Sequence, residues 1–138
     1  YHVLTDIFDV HDYTQDVDEF RSHYIELPEK NTFYDKFSDR QKYNGEPVFV
    51  SEFGGIGFNN DDKSWCYGDS VKTKEEFYQR YEGLVDSLLD NPSIMGFCYT
   101  QLYDVEQERN GLYTHERQPK VDIKTIMKIN QRKAAIEA

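Results

Sequence analysis

The chain has 138 residues, the size of one average domain, and its 26 acidic and 16 basic residues give a formal net charge of −10. That balance excludes nucleic acid as an expected partner, because phosphate binding rests on clustered Lys and Arg, and it disfavours an anionic membrane surface. The longest apolar runs are short, such as Ile94 to Tyr99, against the roughly 20 residues that cross a bilayer, so no membrane partner is expected.

Tyr1 is not an initiator residue and no signal-peptide pattern follows it, so the chain is expected to be cut from something longer. Val3 to Val10 reads as a short strand that runs into polar His11, Asp12 and Tyr13. Val17 to Leu27 reads as a helix with Phe20, Tyr24 and Leu27 on one face and Pro28 near its end. Residues 29–46 are loose and polar, with a short helix expected around Tyr34 to Tyr43. Pro47 to Phe53 is the second strand, apolar until Ser51 and Glu52, as a parallel strand buried on both faces would be.

Gly54, Gly55 and Gly57 follow, then a polar loop to about Val71. Thr73 and Glu76 form a capping box ahead of Phe77, Tyr81, Leu84, Val85, Leu88 and Leu89 at helical spacing, and Asn91-Pro92 closes that helix. Ile94 to Leu102 is the third strand, polar at Thr100 and Gln101. Cys98 lies inside its apolar run, where a buried, inert thiol is expected. With Cys66 the only other cysteine, neither a disulfide framework nor a zinc site is supported. A long loop spans Tyr103 to Lys120, and Val121 to Glu137 reads as a final amphipathic helix on Ile123, Ile126, Met127 and Ile129.

Strands alternating with amphipathic helices imply βαβ units and a parallel sheet. Each strand turns polar at its C-terminal end, where a (β/α)-barrel builds its active site. Three strands are too few to close a barrel of eight. The expected fold is therefore α/β, with residues 1–138 forming the C-terminal portion, about strands 6–8 with their helices, of a TIM barrel. A doubly wound sheet is the competing architecture, although no Gly-rich nucleotide turn follows the first strand.

Glu52 is the strongest candidate for chemistry, because a carboxylate at a buried strand's C-terminal end meets few competing waters, which suits a nucleophile. A strand-end ion pair is the alternative. Gly54 and Gly55 would let the backbone turn sharply beside it. Aromatic residues make up 15% of the chain, and such rings serve either as core or as stacking faces for pyranose rings.

Ser51-Glu52-Phe53-Gly54-Gly55 resembles the nucleophile motif of glycoside hydrolase family 2, which includes β-galactosidases, β-glucuronidases and β-mannosidases. The run from Gly96 to Tyr113 resembles the eighth-strand segment of bacterial β-galactosidase-like members, and Asp9-Val10-His11-Asp12-Tyr13 resembles their sixth-strand segment. The resemblance implies a retaining glycosidase acting on β-linked hexosides, β-galactosides favoured, with Glu52 as nucleophile and no cofactor. It also implies an acid/base Glu preceded by Asn, a dipeptide this sequence lacks. A non-catalytic carbohydrate-binding remnant and an α/β interaction domain are the alternatives. Tyr99 stands where relatives carry a Trp beneath the sugar, which leaves it as sugar platform or as core. His11 and Tyr13 are substrate-binding candidates or loop-stabilising residues, and a Tyr in this region of the family hydrogen-bonds the nucleophile. Asp104, Glu106 and Glu108 form an acidic loop with Arg109 that is expected to be solvated. Trp65 could line a subsite or pack its loop. Asn59, Asn60, Asp61 and Asp62 lack the EF-hand spacing, so no metal is expected. Carbohydrate is the expected partner, together with self-association of so short a chain.

Overall fold

The computed structural model describes residues 2–58 and 63–138. Three strands, β1 (Phe8–Asp12), β2 (Val48–Gly54) and β3 (Ile94–Thr100), alternate with α1 (Val17–Tyr24), the single-turn α2 (Leu27–Lys30), α3 (Lys74–Leu89) and α4 (Ile123–Asn130). The strands pair in parallel in the order β1-β2-β3, so the expected α/β alternation is observed as one three-stranded sheet.

Alternation along the strands sends Val48, Val50 and Phe53 of β2 into a core shared with Phe20 and Tyr24 of α1 and Phe77, Tyr81, Leu84, Val85 and Leu88 of α3. Each such side chain, buried from water, contributes about 1.5–3 kcal/mol, which is why helix α3 forms where its apolar stripe predicts. Thr73 caps α3 by accepting from the Glu76 N–H at 3.1 Å. The Glu76 carboxylate reaches one residue beyond a capping box, to the Lys72 N–H at 2.7 Å. Asp16 and Asp122 cap α1 and α4 in the same way.

Several elements differ from the sequence reading. β1 begins at Phe8 rather than Val3, because Val3 and Leu4 are almost fully exposed with no neighbouring strand to pair against. Helix α1 stops at Tyr24, and a separate turn starts at Leu27 with Pro28 in its first positions, where a missing N–H does no harm. Residues 34–43 form turns, not a helix. The last helix ends at Asn130, where its apolar stripe runs out after Ile129, and Arg132 turns back onto Asp86 at 2.9 Å and Asp90 at 2.8 Å. Cys98 is exposed rather than buried, because it points away from the helices on an edge strand. No helix among the described residues is long and apolar enough to cross a membrane.

The sheet departs from regular pairing beside Glu52. Val10 pairs with Val50, but the next pair is His11 with Glu52, so Ser51 is an extra residue on β2. Against β3 the same stretch places Ser51 and Glu52 opposite one residue, between the pairs Val50–Phe97 and Phe53–Tyr99. This bulge puts two consecutive side chains, Ser51 and Glu52, on the face away from the helices and returns Phe53 to the core.

The core tyrosines set an alkaline limit. Burial pushes the phenols of Tyr24, Tyr81 and Tyr99 above their ordinary value, and the Asp12 carboxylate adds to this at Tyr24. The folded chain therefore holds protons that the unfolded chain releases, so stability is full below about pH 10 and falls as pH rises beyond it. Ultraviolet titration should show these three phenols ionising only as the protein unfolds, whereas a stepwise titration near pH 10 with the fold intact would contradict their burial.

Candidate functional site

The face turned away from the helices is polar at its C-terminal end. The Tyr13 hydroxyl donates to Glu52 Oε2, and His11 Nδ1 lies 3.2 Å from the same oxygen. The Glu52 side chain is 38% exposed, so the carboxylate is reachable while one oxygen is held. Burial, and then the hydrogen bond to Glu52, pushes the Tyr13 phenol up, which keeps it a donor across the ordinary pH range. Glu52, His11 and Tyr13, singled out separately in the sequence, are thus brought together from two strands.

Asp9 extends this cluster. It accepts from the Ser51 hydroxyl at 2.7 Å, has His2 Nε2 at 3.0 Å, and stands 4.0 Å from His11 Nε2. The sequence reading passed over Asp9 as a site residue. The signal was present in its spacing, since residues two apart on a strand share a face and His11 is two beyond it. Asp12 points the other way and fixes the turn that carries Tyr13. It accepts from the Thr14 N–H at 3.0 Å and the Tyr24 hydroxyl at 3.0 Å, with His23 Nδ1 at 2.7 Å.

The glycines after Glu52 carry left-handed backbone, with φ of +85° at Gly54 and +60° at Gly55. A Cβ on Gly54 would sit 2.4 Å from the Tyr99 ring, and one on Gly55 would sit 2.6 Å from Tyr67 Cβ. Gln15 locks this turn to β1 by donating to the Gly54 carbonyl at 2.6 Å and the Tyr13 carbonyl at 2.8 Å, and Arg80 of α3 donates to Gln15 at 3.0 Å.

Tyr99 lies on the helix side of β3. Its ring meets Phe53, Tyr81 and Phe77 at centroid distances of 5.7, 5.1 and 6.4 Å, and its hydroxyl donates to the Asn110 carbonyl at 3.2 Å. Of the two readings left open for Tyr99, packing describes these surroundings. Asp104 is buried rather than solvated, because it accepts from the Gly111 N–H at 2.9 Å and pairs with Lys120 at 2.8 Å. It braces the loop after β3, while Glu106 is exposed. Tyr67, absent from the sequence reading, stacks on Tyr13 at 4.5 Å, with Trp65 edge-on to it at 5.1 Å.

A cleft of about 560 Å³ opens along the outer edge of β1, lined by Asp9, His11, Tyr13, Tyr34 and Phe37 among others. Among the described residues no three His, Cys, Asp or Glu side chains converge to hold a metal ion. The cluster Asn59 to Asp62 lies outside the described residues.

No protein-family model matches the chain, and no curated protein sequence does. In fold it is similar to part of an agarase, with a TM-score of 0.61 at 16% identity, over 92% of this chain and 17% of that one. It is similar to part of a β-glucuronidase from Bifidobacterium dentium, solved with coumarin-3-O-glucuronide, with a TM-score of 0.56 at 20% identity, over 92% and 20% of the two chains. A β-glucuronidase from Faecalibacterium prausnitzii gives 0.55 at 21% identity, over 92% and 21%. The chain thus spans about a fifth of the length of these solved structures.

Tyr99→Ala removes a ring from the junction of β3 with α3 and leaves a cavity. It should cost about 3 kcal/mol of stability. Urea unfolding checks this, and an unchanged midpoint would mean the ring is not part of the core.

Proposed function

We propose that the chain is the C-terminal portion of a (β/α)8-barrel glycoside hydrolase that retains anomeric configuration, with Glu52 as its nucleophile. The observation that carries this reading is Glu52 itself. A bulge at the C-terminal end of a parallel strand turns it onto the polar face, where Tyr13 and His11 converge on a single oxygen, Oε2. The likeness in fold to parts of agarases and β-glucuronidases supports it. The family 2 resemblance of the motif Ser51 to Gly55 carries the finer reading, a β-linked hexoside with a β-galactoside favoured.

In the first step the other oxygen, Oε1, attacks the anomeric carbon as the bond from that carbon to the leaving oxygen breaks. The leaving oxygen takes a proton from a general acid. The resemblance assigns that acid to an Asn-Glu pair, which is absent from this sequence, so the proposal puts it in another part of the parent protein. In the second step water loses a proton to the same residue and displaces Glu52, which departs as the free carboxylate. The Tyr13 hydroxyl holds Oε2 throughout. It fixes the carboxylate plane for attack and stabilises the charge that returns when the glycosyl ester breaks.

Glu52→Gln in the full-length parent keeps the shape and removes the nucleophilic oxygen. Turnover of a panel of nitrophenyl β-glycosides should fall by several powers of ten, on the order of 5 kcal/mol or more of barrier. Near-normal turnover in that variant would sink the assignment.

The 138-residue chain by itself should turn over none of these substrates and should self-associate, most simply as a symmetric dimer. Both β1 and β3 present an unpaired edge, and Met95 and Cys98 are exposed on β3. Light scattering that returned a stable monomer would contradict the edge argument.

A further inference from the structure

Three aromatic rings lead away from the nucleophile in order. Tyr13, whose hydroxyl donates to Glu52, stacks face to face on Tyr67 with an interplanar angle of 12°. Trp65 then meets Tyr67 at 81°. Trp65 is 45% exposed and Tyr67 48%, so both rings are open to solvent.

The backbone that carries these exposed rings is fixed. The Trp65 backbone N–H donates to the Gln107 carbonyl at 2.9 Å, and the Trp65 backbone carbonyl accepts from the Arg109 backbone N–H at 2.8 Å, so the loop after β2 is laced to the loop after β3. Tyr67 is held by the turn below it, where the Gly68 N–H donates to the Gly55 carbonyl at 3.0 Å and Gly55 leaves no room for a Cβ. Rings that pack on one another over a backbone ordered in advance lose less entropy when a ligand arrives than rings on a free loop. The rim is polar: the Glu108 carboxylate lies close enough to push the Tyr67 phenol up.

An aromatic face bordered by a carboxylate and a phenol matches a pyranose ring, whose C–H face stacks on aromatics while its hydroxyls donate and accept at the edge. We propose that Trp65 and Tyr67 form a subsite for a second sugar ring, so that the substrate is a β-linked oligosaccharide rather than a simple monoglycoside. This rests on the reading of Glu52 as nucleophile.

The test uses the full-length parent and compares kcat/KM for the best nitrophenyl β-glycoside with kcat/KM for the matching β-linked di- to tetrasaccharides. Trp65→Ala and Tyr67→Ala should each lower the ratio of oligosaccharide to nitrophenyl glycoside about tenfold, the scale of one aromatic contact. Trp65→Phe, which keeps a ring, should stay within about threefold of the parent. An unchanged ratio in both alanine variants overturns the subsite. So does an equal fall on both substrates with an earlier thermal midpoint, which marks the wall as loop packing. Should the parent cleave none of these glycosides, the reading of Glu52 fails on its own, and calorimetric titration of Glu52→Gln with the tetrasaccharide still decides the subsite. Binding lost on adding Trp65→Ala then supports it, and no binding or no loss overturns it.

Discussion

The site depends on one irregularity in hydrogen bonding, the extra residue at Ser51. A regular strand alternates its side chains, so Glu52 in strict register would have pointed among the helices beside Val48 and Val50. There it would have met a dry, apolar core with no partner for its charge, an arrangement that a protein avoids. The bulge reverses the alternation once. It sends Glu52 to the polar face, returns Phe53 to the core, and lets both requirements be met within two residues.

The two faces of the sheet then divide the work. On the helix side, Phe53, Phe77, Tyr81 and Tyr99 interlock as stacked and edge-to-face rings, which makes β2 and β3 hard to displace. On the other side, Asp9, His11, Ser51, Glu52 and Tyr13 satisfy one another with few apolar contacts. The link between the faces is Gln15, which joins the Gly54 turn and the Tyr13 backbone to Arg80 on α3. The position of Glu52 is thereby referred to the best-packed helix of the molecule, not to a free loop.

Much of this was legible in the sequence, and the remainder was not for identifiable reasons. The helix Lys74–Leu89 was clear because its cap, its stripe and its stop at Asn91-Pro92 all agree. Glu52 was legible because an apolar strand turned polar at its end. Its partners His11 and Tyr13 were nameable, but their convergence on one oxygen was not, since it depends on a bulge that leaves no mark in composition. Cys98 and Tyr99 show the limit of apolar runs. Adjacent residues of one run point to opposite faces, and only the position of β3 at the edge decides that one is exposed and the other packed. Asp104 shows the same for charge: a carboxylate in an acidic run is buried because Lys120, sixteen residues on, folds back to it.

The lacing of Trp65 to the loop after β3 has a spectroscopic consequence. Trp65 is the single tryptophan among 138 residues. Fluorescence excited at the red edge of the indole band therefore reports on one locality, the junction of two loops beside Glu52, while far-ultraviolet circular dichroism reports on the sheet and its helices. In a two-state transition both signals follow one curve. The backbone hydrogen bonds that join Trp65 to Gln107 and Arg109 lie at the surface, and they open more readily than a buried aromatic cluster. Where the indole signal changes ahead of the dichroism signal, the interval between them measures the stability of the surface beside Glu52 separately from that of the scaffold beneath it.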